Sequence, residues 1–111
     1  MIKTDIVIST TGKVRGIVED NLDIFKGIPY AQPPIGDLRF RNTDEKEPWV
    51  GILEALEFGP ISPQPHIDTS SIKDHPQSED CLTLNIWTPG CDDERRPVIF
   101  WIHGGGFYYG G

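Results

Sequence analysis

Apolar and polar positions alternate with a period of two over several short stretches of the chain. Ile6 and Ile8 share one face, and after the turn residues Thr11-Gly12 so do Val14, Gly16 and Val18. Leu22, Ile24 and Phe25 follow the polar stretch Glu19-Asp20-Asn21. Short period-two runs parted by turn residues predict an antiparallel meander. The next stretch, Ile28 to Gly36, holds Pro29, Pro33, Pro34 and Gly36, so regular structure is expected to stop there. From Arg39 to Ile72 neither period persists. With Pro48, Pro60, Pro63 and Pro65 on the way, this part reads as an ordered excursion of loop and short helical turns around Trp49, Leu53 and Phe58. Trp49, Phe58 and Trp87 are expected in the core.

The last third is more regular. Leu82, Leu84 and Ile86 alternate with Thr83, Asn85 and Trp87, which predicts a strand ending at Pro89-Gly90. The run Val98-Ile99-Phe100-Trp101-Ile102 has no polar position, the pattern of a strand buried on both faces of a sheet. Such a strand needs cover above and below, usually from helices. No amphipathic stretch at i, i+3, i+4 spacing supplies it. The expectation is therefore an N-terminal piece of a larger α/β protein, with its covering elements outside these residues.

Composition removes whole classes of function. Ten Lys+Arg stand against 17 Asp+Glu, a net charge of -7, which gives no footprint for a nucleic-acid backbone or an anionic membrane. No run approaches the roughly 18 apolar residues of a membrane span. Gly 12 and Pro 10 in 111 residues favour turns and short strands over long helices. Cys81 and Cys91 make no disulfide framework, and with His66 and His75 they match no metal-ligand spacing. The start, Met1 to Asp5, lacks the apolar core of a secretory signal, so the expected compartment is a reducing cytoplasm, with a processed precursor left open.

Three consecutive glycines, Gly104, Gly105 and Gly106, directly follow the apolar run. Glycine is costly in conformational entropy, so the backbone there does something a side chain would prevent. Two readings fit: successive N–H groups turned onto an anion, or a tight turn. A phosphate loop is excluded because its Lys and Ser/Thr are missing. With His103 before, Phe107 after and an expected strand upstream, the pattern resembles an esterase oxyanion loop, with a plain tight turn as the alternative.

Four blocks carry a wider likeness: Phe25-Lys26-Gly27-Ile28-Pro29-Tyr30-Ala31 with Pro33-Pro34; Leu38-Arg39-Phe40; Ser78-Glu79-Asp80-Cys81-Leu82-Thr83-Leu84-Asn85; and Trp101-Ile102-His103-Gly104-Gly105-Gly106-Phe107. In this order they resemble the N-terminal region of a type-B carboxylesterase, the α/β-hydrolase family that also contains the cholinesterases. The resemblance implies that residues 1–111 are the N-terminal portion of a single α/β-hydrolase domain: a small antiparallel meander leading into the central mixed sheet. It implies hydrolysis of a small-molecule carboxylic ester through an acyl-enzyme, without cofactor or metal. Gly105 and Gly106 would donate their backbone N–H groups to the oxyanion, and Gly104 would shape the loop.

No G-x-S-x-G occurs in the chain, and the triad order of this fold puts Ser, Asp/Glu and His downstream of the oxyanion loop. These residues alone are therefore expected to be inactive. Two rivals stand beside this reading: a non-catalytic, adhesion-type member of the family, and an inactive truncated product. The resemblance also implies an Arg39–Glu79 salt bridge, against two solvated surface charges. If the pair is enclosed, losing one partner costs about 3–5 kcal/mol. Cys81 stands where secreted members form a disulfide, but Ser62 occupies the partner's position, which agrees with the cytoplasm and leaves Cys81 as a small buried apolar residue. His103 would support the glycine loop rather than act as a base. Phe107, Tyr108 and Tyr109 would line the gorge or simply pack.

Overall fold

The computed structural model describes all residues, Met1–Gly111. Its strands are β1 (Ile2–Lys3), β2 (Val7–Ile8), β3 (Lys13–Arg15), β4 (Ile17–Glu19), β5 (Leu22–Pro29), β6 (Ile52–Glu54) and β7 (Thr83–Thr88). They form two small sheets. One runs β1-β4-β5-β7 and is antiparallel throughout. The other runs β2-β3-β6, antiparallel between β2 and β3 and parallel between β3 and β6. The only helical element is a 3₁₀ turn at Gly36–Leu38.

The expected meander is present, split between the sheets at Gly16. A Cβ on Gly16 would overlap the backbone carbonyl oxygen of Ile24 and crowd the Phe25 ring, so only glycine lets the chain cross here. Thr4 secures the crossing. Its N–H donates to the Gly16 carbonyl at 3.1 Å, and its Oγ1 accepts from the Gly16 N–H at 3.0 Å. Between β4 and β5 the turn residues Asp20 and Asn21 both take positive φ, 49° and 62°, a conformation that short polar side chains tolerate in two-residue hairpins.

Pro29 does not end regular structure. β5 continues through Ile28 and Pro29, paired with Leu84 and Thr83 beyond a register shift after Phe25. At that shift the Gly27 N–H donates to Asn85 Oδ1 at 2.9 Å. The alternation of Leu82 to Trp87 did become a strand, β7.

The core lies at the seam between the sheets. Val14, Phe25 and Ala55 form it, with Val7, Ile28 and Leu53 packed around them. Phe25 is 3% and Ala55 1% exposed. Ala55 joins the sheets through its backbone: its N–H donates to Arg15 O at 2.8 Å, and its carbonyl accepts from Lys26 N–H at 2.9 Å. The short strand β6 was not legible as a strand, since three residues carry no period.

Two expectations are corrected. Phe58 and Trp87, expected in the core, are each 50% exposed and meet one another across 6.3 Å between ring centroids. β7 is an edge strand, so Trp87 has a neighbouring strand on one side only. Trp49 is half-buried and serves as a tether, its Nε1–H donating to Lys13 O at 2.9 Å. The run Val98–Ile102, expected as a doubly buried strand, joins no sheet, and its side chains are 76% to 93% exposed. No strand among the 111 residues pairs with it.

The Arg39–Glu79 pair forms, with Arg39 Nε donating to Glu79 Oε1 and linking the end of the 3₁₀ turn to the approach to β7. Within residues 1–111 the side chains are 52% and 45% exposed, so the pair is open to solvent here. If the rest of the full-length protein leaves the pair this open, Arg39→Met should lower stability by about 1 kcal/mol or less. Calorimetry of the full-length protein checks this, and a loss of several kcal/mol would mean that the pair is enclosed there.

Candidate functional site

After the unpaired apolar run the chain turns sharply over His103 to Gly110. φ is +132° at Gly105, +61° at Gly106 and +67° at Phe107, three consecutive residues in a region that L side chains rarely adopt. Tyr108 and Tyr109 both donate their N–H groups to the carbonyl of Gly105, at 3.3 Å each. The loop is drawn in so tightly that a Cβ on Gly105 would overlap the Tyr109 carbonyl oxygen, and one on Gly110 would overlap that of Gly104. Glycine at these positions is a steric requirement of the closed loop.

The N–H groups of Gly104, Gly105, Gly106 and Phe107 have no acceptor within the chain. Gly105 is half-buried and Gly106 exposed. Unpaired N–H groups on a sharply reversed glycine backbone can receive a negative charge. His103 supports the loop, since its Nδ1 donates to the Gly104 carbonyl at 2.8 Å. Phe107 is fully exposed, and Tyr108 and Tyr109 pack edge to face at 5.0 Å, with Tyr109 lying along a small cleft beside Ile61 and Ile72.

The other polar groups are arranged for structure. His66 pairs with Asp68 at 3.0 Å, and His75 Nε2 donates to the Gly59 carbonyl at 3.0 Å. Both cysteines are free thiols. Cys81 is half-buried rather than enclosed, and burial followed by Asp80 and Glu79 pushes its pKa up. Burial and then Asp23 do the same to Cys91. A thiol pushed upward stays protonated at neutral pH, so neither is poised as a thiolate nucleophile. Asp92 is drawn down to about 2, chiefly by hydrogen bonds from Arg96 at 2.7 and 2.8 Å, and then by the Glu94 N–H. It remains a carboxylate far below neutral pH and carries no proton for chemistry.

Sequence reasoning located the glycine loop and His103. It missed Gln64, whose carboxamide meets the backbone of Gly110. The one available signal was a glutamine held between two prolines, Pro63 and Pro65.

The geometry has close counterparts in known proteins. The chain is 46% identical to phenmedipham hydrolase of Pseudarthrobacter oxydans, over 99% of its own length and 23% of that protein. It is 43% identical to para-nitrobenzyl esterase of Bacillus subtilis, over 95% of its length and 22% of the esterase. The crystal structure of the Geobacillus stearothermophilus carboxylesterase superimposes with a TM-score of 0.84 at 41% identity, covering 96% of this chain and 21% of that one. The chain thus spans about a fifth of the length of the relatives it matches. The α/β-hydrolase architecture is the one these neighbours share, and the residues here are its sheet-rich N-terminal portion. The model of the carboxylesterase family matches residues 3–111, glycine loop included, and the chain belongs to that family.

Proposed function

We propose that this chain supplies the oxyanion-binding loop of a serine carboxylesterase. Gly105 and Gly106 donate their backbone N–H groups to the oxyanion of the tetrahedral intermediate, and Gly104 shapes the loop. The observation that carries the reading is the pair of unpaired N–H groups on a backbone that glycine alone lets close so tightly. An ester carbonyl becomes an alkoxide-like oxygen when a serine adds to it. Donors fixed about 2.7–3.1 Å from that oxygen stabilise the transition state more than the neutral ester, which accelerates acylation and deacylation alike.

The nucleophile, its histidine and the acid that orients the histidine lie outside residues 1–111, since no G-x-S-x-G occurs among them. Residues 1–111 by themselves do not turn over esters by this mechanism.

The test uses the full-length protein that carries this segment. A fluorophosphonate should label one serine stoichiometrically and abolish hydrolysis of p-nitrophenyl butyrate. A protein with neither hydrolysis nor labelling would be a non-catalytic family member, and the proposal would fall.

A further inference from the structure

The glycine loop is fastened from outside by one side chain. The carboxamide of Gln64 meets Gly110 twice: Nε2 donates to the Gly110 carbonyl at 2.9 Å, and Oε1 accepts from the Gly110 N–H at 2.8 Å. A backbone with both its groups matched in this way is held in orientation as well as in place. Nε2 donates its second hydrogen to Ser62 O at 2.9 Å, which fixes the carboxamide itself.

The base of this clamp is stiff. Gln64 stands between Pro63 and Pro65, whose rings fix φ on either side. Its own N–H donates to Gln77 Oε1 at 3.0 Å. Gln77 lies where its segment bridges to Ile61, with Ile61 N–H donating to Pro76 O at 3.0 Å and Ser78 N–H to Ile61 O at 2.9 Å.

Contact then runs from Gly110 to the proposed donors. Gly110 is stacked against the Gly104 carbonyl and the His103 ring, and the preceding carbonyl, of Tyr109, is stacked against Gly105. If Gly110 moves, Gly104 and Gly105 lose the surfaces that set their position. We infer that Gln64 is a positioning residue for the oxyanion loop: through Gly110 it holds the N–H groups of Gly105 and Gly106 where the negative charge develops. This rests on the oxyanion reading proposed above.

The experiment compares the full-length enzyme with Gln64→Met, which keeps the length of the side chain and removes its hydrogen bonds. Rates are referred to serine titrated with a fluorophosphonate, so unfolded protein is not counted. A misplacement on the order of 1 Å at a donor costs up to about 100-fold. The expected result is a fall in kcat of about 10- to 100-fold, with KM within about twofold. Affinity for a trifluoromethyl ketone, which forms the tetrahedral adduct, should fall in parallel. A purely structural role would lower Tm and leave both quantities unchanged per titrated site.

Gln77→Met, which frees the Gln64 backbone without touching the loop, should act in the same direction and more weakly. It carries the comparison if Gln64→Met yields no titratable enzyme. Wild-type kcat and ketone affinity in the folded variants would overturn the inference while leaving the esterase reading intact. So would the loss of all titratable serine in both variants, because the clamp would then support the fold as a whole. A wild-type protein without a reactive serine would instead overturn the esterase reading.

Discussion

Gly105→Ala is expected to lower kcat of the full-length esterase by about 10²–10³, with a much smaller change in KM. The added Cβ would overlap the Tyr109 carbonyl oxygen, a backbone atom that cannot rotate away, and φ of +132° strains any L residue there. The loop must open to admit the methyl group. Opening it carries the Gly105 and Gly106 N–H groups away from the developing charge, and losing one such donor costs that factor. Gly106→Ala makes a useful contrast. Its Cβ would meet nothing closer than the Tyr108 ring at 3.8 Å, so the penalty is the left-handed backbone alone, about 1–2 kcal/mol of stability, and with the donors left in place kcat should change by less than about 10-fold. Initial rates per titrated serine decide the matter. Equal rates for wild type and Gly105→Ala would mean that the loop does not contact the oxyanion.

The 111 residues produced by themselves are expected to associate at micromolar concentration, bind a hydrophobic dye and melt without a cooperative transition. Only 8 of the 111 residues are buried, and no large side chain is less than 2% exposed. Against this small core stands Val98–Ile102, five consecutive apolar side chains in open solvent with no strand alongside. An unpaired apolar segment is a template for pairing with another chain. Ile99→Lys with Phe100→Glu should reduce the association seen by sedimentation velocity, because charge on such a segment opposes pairing. A monomer with a sharp calorimetric transition would show that the small two-sheet core stands on its own.

What could be read from the residues was whatever depended on neighbours close in the chain. The hairpin at Asp20-Asn21 and strand β7 each announce themselves through a turn or an alternation within ten residues. The glycine loop was legible for the same reason, its constraint being local and steric. What failed depended on partners elsewhere. Pro29 pairs in β5 with Thr83, beyond a register shift that only the partner strand reveals. Ile52–Glu54 is a strand only because β3 offers it an edge. Trp87 is half exposed among these residues, where β7 has a single neighbouring strand, a fact of strand order that periodicity does not carry. Val98–Ile102 has the composition of a buried strand, yet burial belongs to the partners, and those are not among these residues. Gln64 acts across 46 residues to Gly110, beyond the reach of any local pattern.

The parallel ladder between β3 and β6 also imposes an order in time. Arg15 and Glu54, which close it, are 39 residues apart. At about 5–20 residues per second, the ribosome needs on the order of 2–8 s to pass from one to the other. A hairpin such as β2–β3 forms within about 1–10 μs, so it forms and dissolves many thousands of times during that wait. Throughout it, Val14 and Phe25 lack Leu53 and Ala55, the residues that complete their cluster. The first strands to be synthesised are therefore secured late, and the emergence of Ala55 sets the earliest moment at which the two sheets can share a core.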